Sequence, residues 1–153
     1  MNQDILELFL WSISPFGEAK IWIPAFIASS DLQTSTILLV GISANLLVFP
    51  LLYKSIEISN KYLLKNKFYK SNAIKLSLRA RRKTKNVIGK YGYWGLMIFV
   101  MVPIPFTGAY IGTIASYIFG INYKKSFISI SIGIVGSSIM VAYGTEFIKK
   151  MWI

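Results

Sequence analysis

Glu18 and Lys20 are the residues of this chain best placed to do chemistry, because they stand where a charge is expensive to hold. An apolar arm, Ile5 to Ile13, precedes them and a second, Ile21 to Ala28, follows, with Ser14, Pro15, Phe16 and Gly17 as a break between the two. Charged groups at such a break should face protein or water rather than lipid. Glu18 falls in the first turn of the second arm, where the positive end of the helix dipole favours a carboxylate. Pro24 frees the carbonyl of Lys20, four residues back. A carboxylate set among apolar surroundings, a helix terminus and a lysine can exchange protons, and the lysine can act as counter-charge to an anion. In the plainer alternative Glu18 only caps its own helix and pairs with Lys20, although residues two apart on a helix point in different directions.

The second constellation lies in MIFVMVPIPFTGAYIGTIAS, Met97 to Ser116. Pro103 and Pro105 each remove a backbone donor and crowd the preceding turn, so a helix entering this stretch must stop near Val102. Thr107 can act as the N-cap of a new helix, with Gly108, Gly112 and Ser116 following at intervals of four on one smooth face. Each arm has about a dozen residues, roughly 18 Å, against a hydrocarbon core of about 30 Å. Neither arm spans alone. The spacing predicts a re-entrant hairpin at 91–120 with its tip near the membrane midplane, where irregular backbone survives against protein or a wet cavity. The same argument predicts a first hairpin at 5–30.

Positioning these tips falls to longer elements. Residues 34–52 run without a charge and are long enough to cross a bilayer; Asn45 sits near the middle with Gly41 one turn before, as interhelical packing or a cargo contact would use them. Residues 126–147 form a second crossing with Ser129, Gly133 and Ser137 spaced by four. The 153 residues are 54% hydrophobic and 15% charged, which predicts one all-α integral membrane domain. It divides into a first repeat (1–53), a basic segment (54–90) and a second repeat (91–149). Two like units separated by one crossing are inverted with respect to each other, the plan of many secondary transporters. No cleavable signal pattern opens the chain, because Asp4 and Glu7 replace the expected basic start.

The net charge of +11 is confined to that middle segment, which holds twelve of the 17 basic residues and one acid, Glu57; the rest of the chain sums to zero. Beside apolar spans this is a topology signal more than a nucleic-acid patch. It places 54–90, together with Lys124 and Lys125, in the cytoplasm and both termini outside the plasma membrane. The segment suits one or two basic amphipathic helices with a break near Ser71 and Asn72. With no Cys and no His, disulfides, thiolate clusters and the commonest metal ligand and general base are gone. No metal, no cofactor and no enzyme activity are expected.

Two motifs carry a resemblance. Glu18, Lys20, Ile23 and Pro24 in PFGEAKIWIP resemble a Glu-x-Arg-x-x-Ile-Pro element, and Pro103, Pro105, Thr107, Gly108, Ala109, Tyr110 and Gly112 in PIPFTGAYIG resemble a Pro-x-Pro-x-Thr-Gly-Ala-aromatic-x-Gly element, of the small multidrug export protein family. The likeness runs over roughly residues 12 to 147. That family is similar to the DedA superfamily, which implies movement of polyprenyl phosphates or phospholipids between leaflets, coupled to protons. Lys20 stands where the family usually has Arg, losing bidentate geometry, and the arginines of the DedA second hairpin have no counterpart between Lys90 and Lys124.

These readings make the chain a proton-coupled transporter or flippase with a midplane site built from Glu18, Lys20, Pro24, Asn45, Pro103, Pro105, Thr107, Gly108, Tyr110 and Gly112. Amides at Gly108 and the Lys20 amine would receive a phosphate-bearing amphiphile. The alternatives are an exporter of lipophilic cations, with Glu18 pairing the cation and Trp22, Phe106 and Tyr110 offering aromatic faces, or a non-transporting, lipid-organising assembly. Membrane lipids, an amphiphilic cargo, protons and a second copy of the chain are the expected partners; the Ser129, Gly133, Ser137 face needs a packing partner within the chain or on that second copy, and nucleic acid is not expected.

Overall fold

The computed structural model describes residues 2–14, 17–63, 88, 90–104 and 107–152, and among them it is all-helical, with six helices. They are α1 (Asn2–Ile13), α2 (Ala19–Ser29), α3 (Thr34–Leu63), α4 (Tyr93–Met101), α5 (Ala109–Ile118) and α6 (Tyr123–Trp152). Pro15, Phe16, Pro105 and Phe106 lie outside the described residues, as do 64–87, the bulk of the basic segment with its expected break at Ser71 and Asn72.

The two long helices have 30 residues each, roughly 45 Å at 1.5 Å per residue, and both are long and apolar enough to cross a membrane. Leu39, Leu47, Leu51, Ile128, Ile132 and Met140 stand exposed along them. Apolar surface on this scale marks a face covered by lipid or protein rather than by water. Helix α3 runs eleven residues beyond the expected boundary at Leu52. Nothing in Tyr53 to Leu63 breaks a helix, and Glu57 stands four residues before Lys61, the favourable order for an ion pair on a helix face.

The short helices come in two pairs. Helix α1 ends in a turn in which the Ser14 and Gly17 amides donate to Trp11 and Ser14 carbonyls, and α2 begins two residues after Gly17. Pro24 lies inside α2 without ending it. Helix α4 ends at Met101 with Val102 as its C-cap, the expected stopping place, and α5 starts at Ala109. Thr107 is not the cap that its type and position predicted. Gly108 takes the N-cap position of α5, and the Thr107 hydroxyl turns back to within 2.8 Å of the Ile104 carbonyl and 3.1 Å of that of Val102. At its other end α5 closes in a Schellman turn: Ile121 N–H donates to the Ser116 carbonyl and Gly120 N–H to that of Tyr117, with Gly120 at φ 65°. Asn122 then accepts from the Lys124 amide at 3.0 Å and caps α6.

Small residues decide which helices touch. A side chain at Gly133 would meet Val100 at 2.7 Å and the Met97 carbonyl at 3.0 Å, and one at Gly136 would meet Met101, so the bare face of α6 is what admits α4. Ser129 and Ser137 are buried on the same face. That face packs inside the chain, the first of the two partners that its small residues allow. Gly112 admits Val100 in the same manner, and Gly41 admits Ile23 of α2 against α3.

The ends of the helices sort into two groups. Tyr53 of α3 packs on Tyr117 at the end of α5 and on Tyr123 at the start of α6, and Lys125 lies over Tyr93 at the start of α4. At the far end, Thr34 donates to Glu146 at 2.5 Å and Lys149 to the Ile27 carbonyl at 3.0 Å, joining the start of α3, the end of α6 and the end of α2. Lys54, Glu57, Lys61, Lys90, Lys124 and Lys125 belong to the first group and Asp4, Glu7, Asp31, Glu146, Lys149 and Lys150 to the second.

Candidate functional site

Two apolar clusters fill the interior. One gathers Val48, Phe49, Leu96, Val100, Ala109, Ile130 and Ile134; the other Leu8, Ala19, Ile23, Ile27, Ile37 and Ala142. Several buried polar residues lie along the helices at the seam where one cluster gives way to the other, while Thr113, Ser116, Ser126 and Ser129 lie beside the first. On α3, Asn45 lies between Ile37 and Val48; on α6, Ser137 and Ser138 lie between Ile134 and Ala142; on α1, Ser12 follows Leu8. Glu18 and Lys20, 5% and 6% exposed, flank Ala19 at the same seam.

The charges do not pair with each other in the manner of a simple ion pair; each reaches across to the α4–α5 break. Lys20 Nζ donates to the Val100 carbonyl at 2.7 Å, to that of Val102 at 2.9 Å and to Thr107 Oγ1 at 3.2 Å. An ammonium has three donors, so this uses all of them. Val100 and Val102 stand at the C-terminal end of α4, where unpaired carbonyls give a helix its negative pole. Glu18 goes to the opposite pole. Its backbone occupies the N-cap position of α2 but its side chain makes no cap there; instead the carboxylate faces the backbone amides of Tyr110 and Gly108 at the start of α5. One of its oxygens, Oε2, makes no hydrogen bond of ordinary geometry. The docking depends on Gly108 having no side chain, because a Cβ there would overlap that carboxylate.

Tyr110 completes the exchange by donating its hydroxyl to the carbonyl of Ile13, the last residue of α1. Each broken pair thus satisfies the backbone of the other: an acid on a helix start, a base on a helix end, a phenol on a third terminus. Irregular backbone left bare in an apolar interior would forfeit these bonds at several kcal/mol.

Of the residues singled out in the sequence, Glu18, Lys20, Thr107, Gly108 and Tyr110 meet at this junction. Glu18 is not in the first turn of α2 but at its cap, and it serves the other pair's helix. Gly112 lies one turn into α5 and serves packing against Val100 and Ile130. Pro103 is exposed in the break, Pro105 is not described, and Pro24 sits within α2. Asn45 is 1% exposed and hydrogen-bonds to none of the described residues through either side-chain atom. Ser12 and Ser138, which the sequence did not single out, share that condition. A serine in an apolar helix carries no signal of its own; their place in the seam follows only from the packing.

No curated protein and no solved structure gives a significant match to the chain. The model of one protein family, described as "Putative small multi-drug export protein", matches residues 18–140, beginning at Glu18 itself and covering about four-fifths of the chain. On that match the chain belongs to the small multi-drug export protein family.

Proposed function

We propose that this chain exports small amphiphilic molecules across the plasma membrane, with the junction of the two broken helix pairs as its gate. The observation that carries the reading is the crossed docking of Glu18 and Lys20 on opposite poles of the α4–α5 break, set in a seam that also holds Ser12, Asn45 and Ser138 without partners. In a membrane, α3 and α6 would cross and each short pair would enter and return as a re-entrant hairpin, the two pairs inverted with respect to each other. The grouping of helix ends supports this, as does the collection of lysines at one of them. That end would be cytoplasmic and both termini outside.

Opening the gate requires Glu18 to leave the amides at the start of α5. A proton on the carboxylate weakens that attachment, and a cationic cargo competes for the same charge, so proton and cargo exchange at one residue. Lower pH on the cargo's destination side would favour its release. A lipid-phosphate cargo, and with it the DedA-like role, gains less support. The Lys20 amine and the Gly108 and Tyr110 amides, which would receive a phosphate, are already engaged.

In proteoliposomes carrying an imposed pH gradient, Glu18→Gln, which mimics the protonated acid, is expected to fold, leak at a pH-independent rate, and lose gradient-driven export of a fluorescent lipophilic cation. Normal gradient-driven flux in Glu18→Gln would end the mechanism. Single cysteines at positions 80 and 122, clean probes in a chain without its own, should both be labelled only from the cytoplasmic side; labelling from opposite sides would overturn the hairpin arrangement.

A further inference from the structure

Asn45 is buried on α3 with its carboxamide oxygen and nitrogen both unpartnered, and among the described residues Glu18 Oε2 is the one charged atom in the same condition. The contacts of α3 bring the two together. Gly41, Asn45 and Val48 follow at intervals of four and three and so share one face of that helix. At Gly41 the face meets Ile23 and Ala19 of α2. At Val48 it enters the apolar cluster that holds Ala109 of α5, against which α3 packs. Glu18 directly precedes Ala19, and its carboxylate abuts Gly108, which directly precedes Ala109. Asn45, between the two contacts, therefore stands beside the Glu18 carboxylate. We propose that Asn45 is a second seat for Glu18, a positioning residue whose carboxamide receives the acid when it leaves the amides of α5; the proposal rests on the gate reading above and names the residue that completes it.

The chemistry of the side chain suits that task. A carboxamide offers donors on nitrogen and an acceptor on oxygen, so it can hold an ionised acid through its N–H and a protonated one through its carbonyl. The other polar groups of the junction are engaged. Lys20 donates to the α4–α5 break, Tyr110 to the Ile13 carbonyl, and Thr113 and Ser116 to carbonyls of their own helix. Ser12 and Ser138 are unpartnered too, but they stand on α1 and α6, off the face of α3 that runs between Ala19 and Ala109. The first seat is the stronger, since two amides at the positive pole of a helix hold a carboxylate better than one neutral amide does. What Asn45 changes is the cost of leaving it. A buried carboxamide without a partner destabilises the closed form, and the bond it can make to Glu18 stabilises the open one, so both effects favour opening.

The test uses the full chain carrying Ser12→Cys, in detergent. Ser12 is buried at the end of α1 that Tyr110 holds to α5, so the rate at which N-ethylmaleimide labels this cysteine reports how often the junction opens. Asn45→Leu, which keeps the branched outline and removes both polar atoms, is expected to raise the unfolding midpoint and to slow labelling about tenfold or more. Asn45→Ser keeps one donor and one acceptor and should label within about threefold of the parent. In a Glu18→Ala background the carboxamide has nothing to receive, and the slowing by Asn45→Leu should shrink to about threefold or less. A lower midpoint with faster labelling in Asn45→Leu, or an undiminished effect in the Glu18→Ala background, would overturn the proposal. Equal labelling of parent and Asn45→Leu would overturn it while leaving the gate standing. A parent cysteine that reacts only on unfolding would end the gate reading itself, and the second seat with it.

Discussion

Lys20→Met is expected to lower the unfolding free energy by about 3 kcal/mol, read as a large drop in the thermal midpoint of the purified chain in detergent. Methionine keeps the length and apolar stem of lysine and removes only the ammonium. The Val100 carbonyl and the Thr107 hydroxyl then each lose the lysine as donor, and the Val102 carbonyl is left with the Ile104 amide and the Thr107 hydroxyl. Hydrogen bonds from a charged donor contribute roughly 1.5–3 kcal/mol each in favourable settings, and removing one member of a buried charged set leaves the other uncompensated at about 3–5 kcal/mol. The stranded partner is Glu18. Against a total stability of about 5–15 kcal/mol this is a large loss. Lys20→Arg should recover most of it, because the poles of α4 and α5 respond to charge more than to shape, and arginine is what the family resemblance leads one to expect at this position. Glu18→Gln combined with Lys20→Met should cost less than the two single changes summed, since removing both charges leaves neither buried alone. A midpoint for Lys20→Met equal to the parent's would mean that the carbonyls of α4 find other donors and that the crossed docking contributes little.

The elements of this arrangement were legible in the sequence, whereas its pairing was not. Pro103 marks a helix end because it lacks a donor, and α4 does stop two residues before it. The long charge-free run from Thr34 and the run from Ser126 mark helices because composition and length are local properties. Their ends are less local. Helix α3 continues to Leu63 because a polar, lysine-bearing stretch with Glu57 and Lys61 at ion-pair spacing is as good a helix as an apolar one. Thr107 misled for a different reason. Capping preferences assume that the terminus must satisfy its own amides, and here a carboxylate from 90 residues earlier in the chain does so, freeing the threonine to serve as an acceptor for Lys20. No periodicity announces a bond between residue 20 and residue 100. What the sequence did offer was the expense of Glu18 and Lys20 in an apolar stretch, which implied that something must satisfy them without saying what.

The small-residue faces divide in the same way. Ser129, Gly133 and Ser137 were recognisable as a surface for close helix contact with a partner inside the chain or outside it, and α4 packs against it. A homodimer would have to use one of the exposed apolar faces, such as that bearing Leu39 and Leu47. Asn45 is the residue for which packing gives no account: it lies in the seam, buried, with both side-chain atoms unpartnered among the described residues.

Gly108→Ala is expected to be nearly as damaging as loss of the lysine, and it isolates the acid's half of the junction. The φ of Gly108 is −92°, outside the left-handed region. The obstacle is steric, because the added methyl would occupy the space of the Glu18 carboxylate. Either the start of α5 moves away, opening the bond that Tyr110 makes to Ile13, or the carboxylate leaves the amides and remains charged in an apolar seam. Both routes cost a few kcal/mol, about 2–4 by the usual range for overpacking a core or unpairing a buried charge. The identity of the clashing group supplies a control that ordinary core overpacking lacks. In a Glu18→Ala background the methyl has nothing to strike, so the further cost of Gly108→Ala should fall below about 1 kcal/mol, the residue of lost helix-start geometry alone. Unfolding midpoints of the four proteins of this cycle, measured in one detergent, give the coupling directly. Additive losses would mean that Glu18 does not dock on the start of α5, and the gate proposed here would lose its latch.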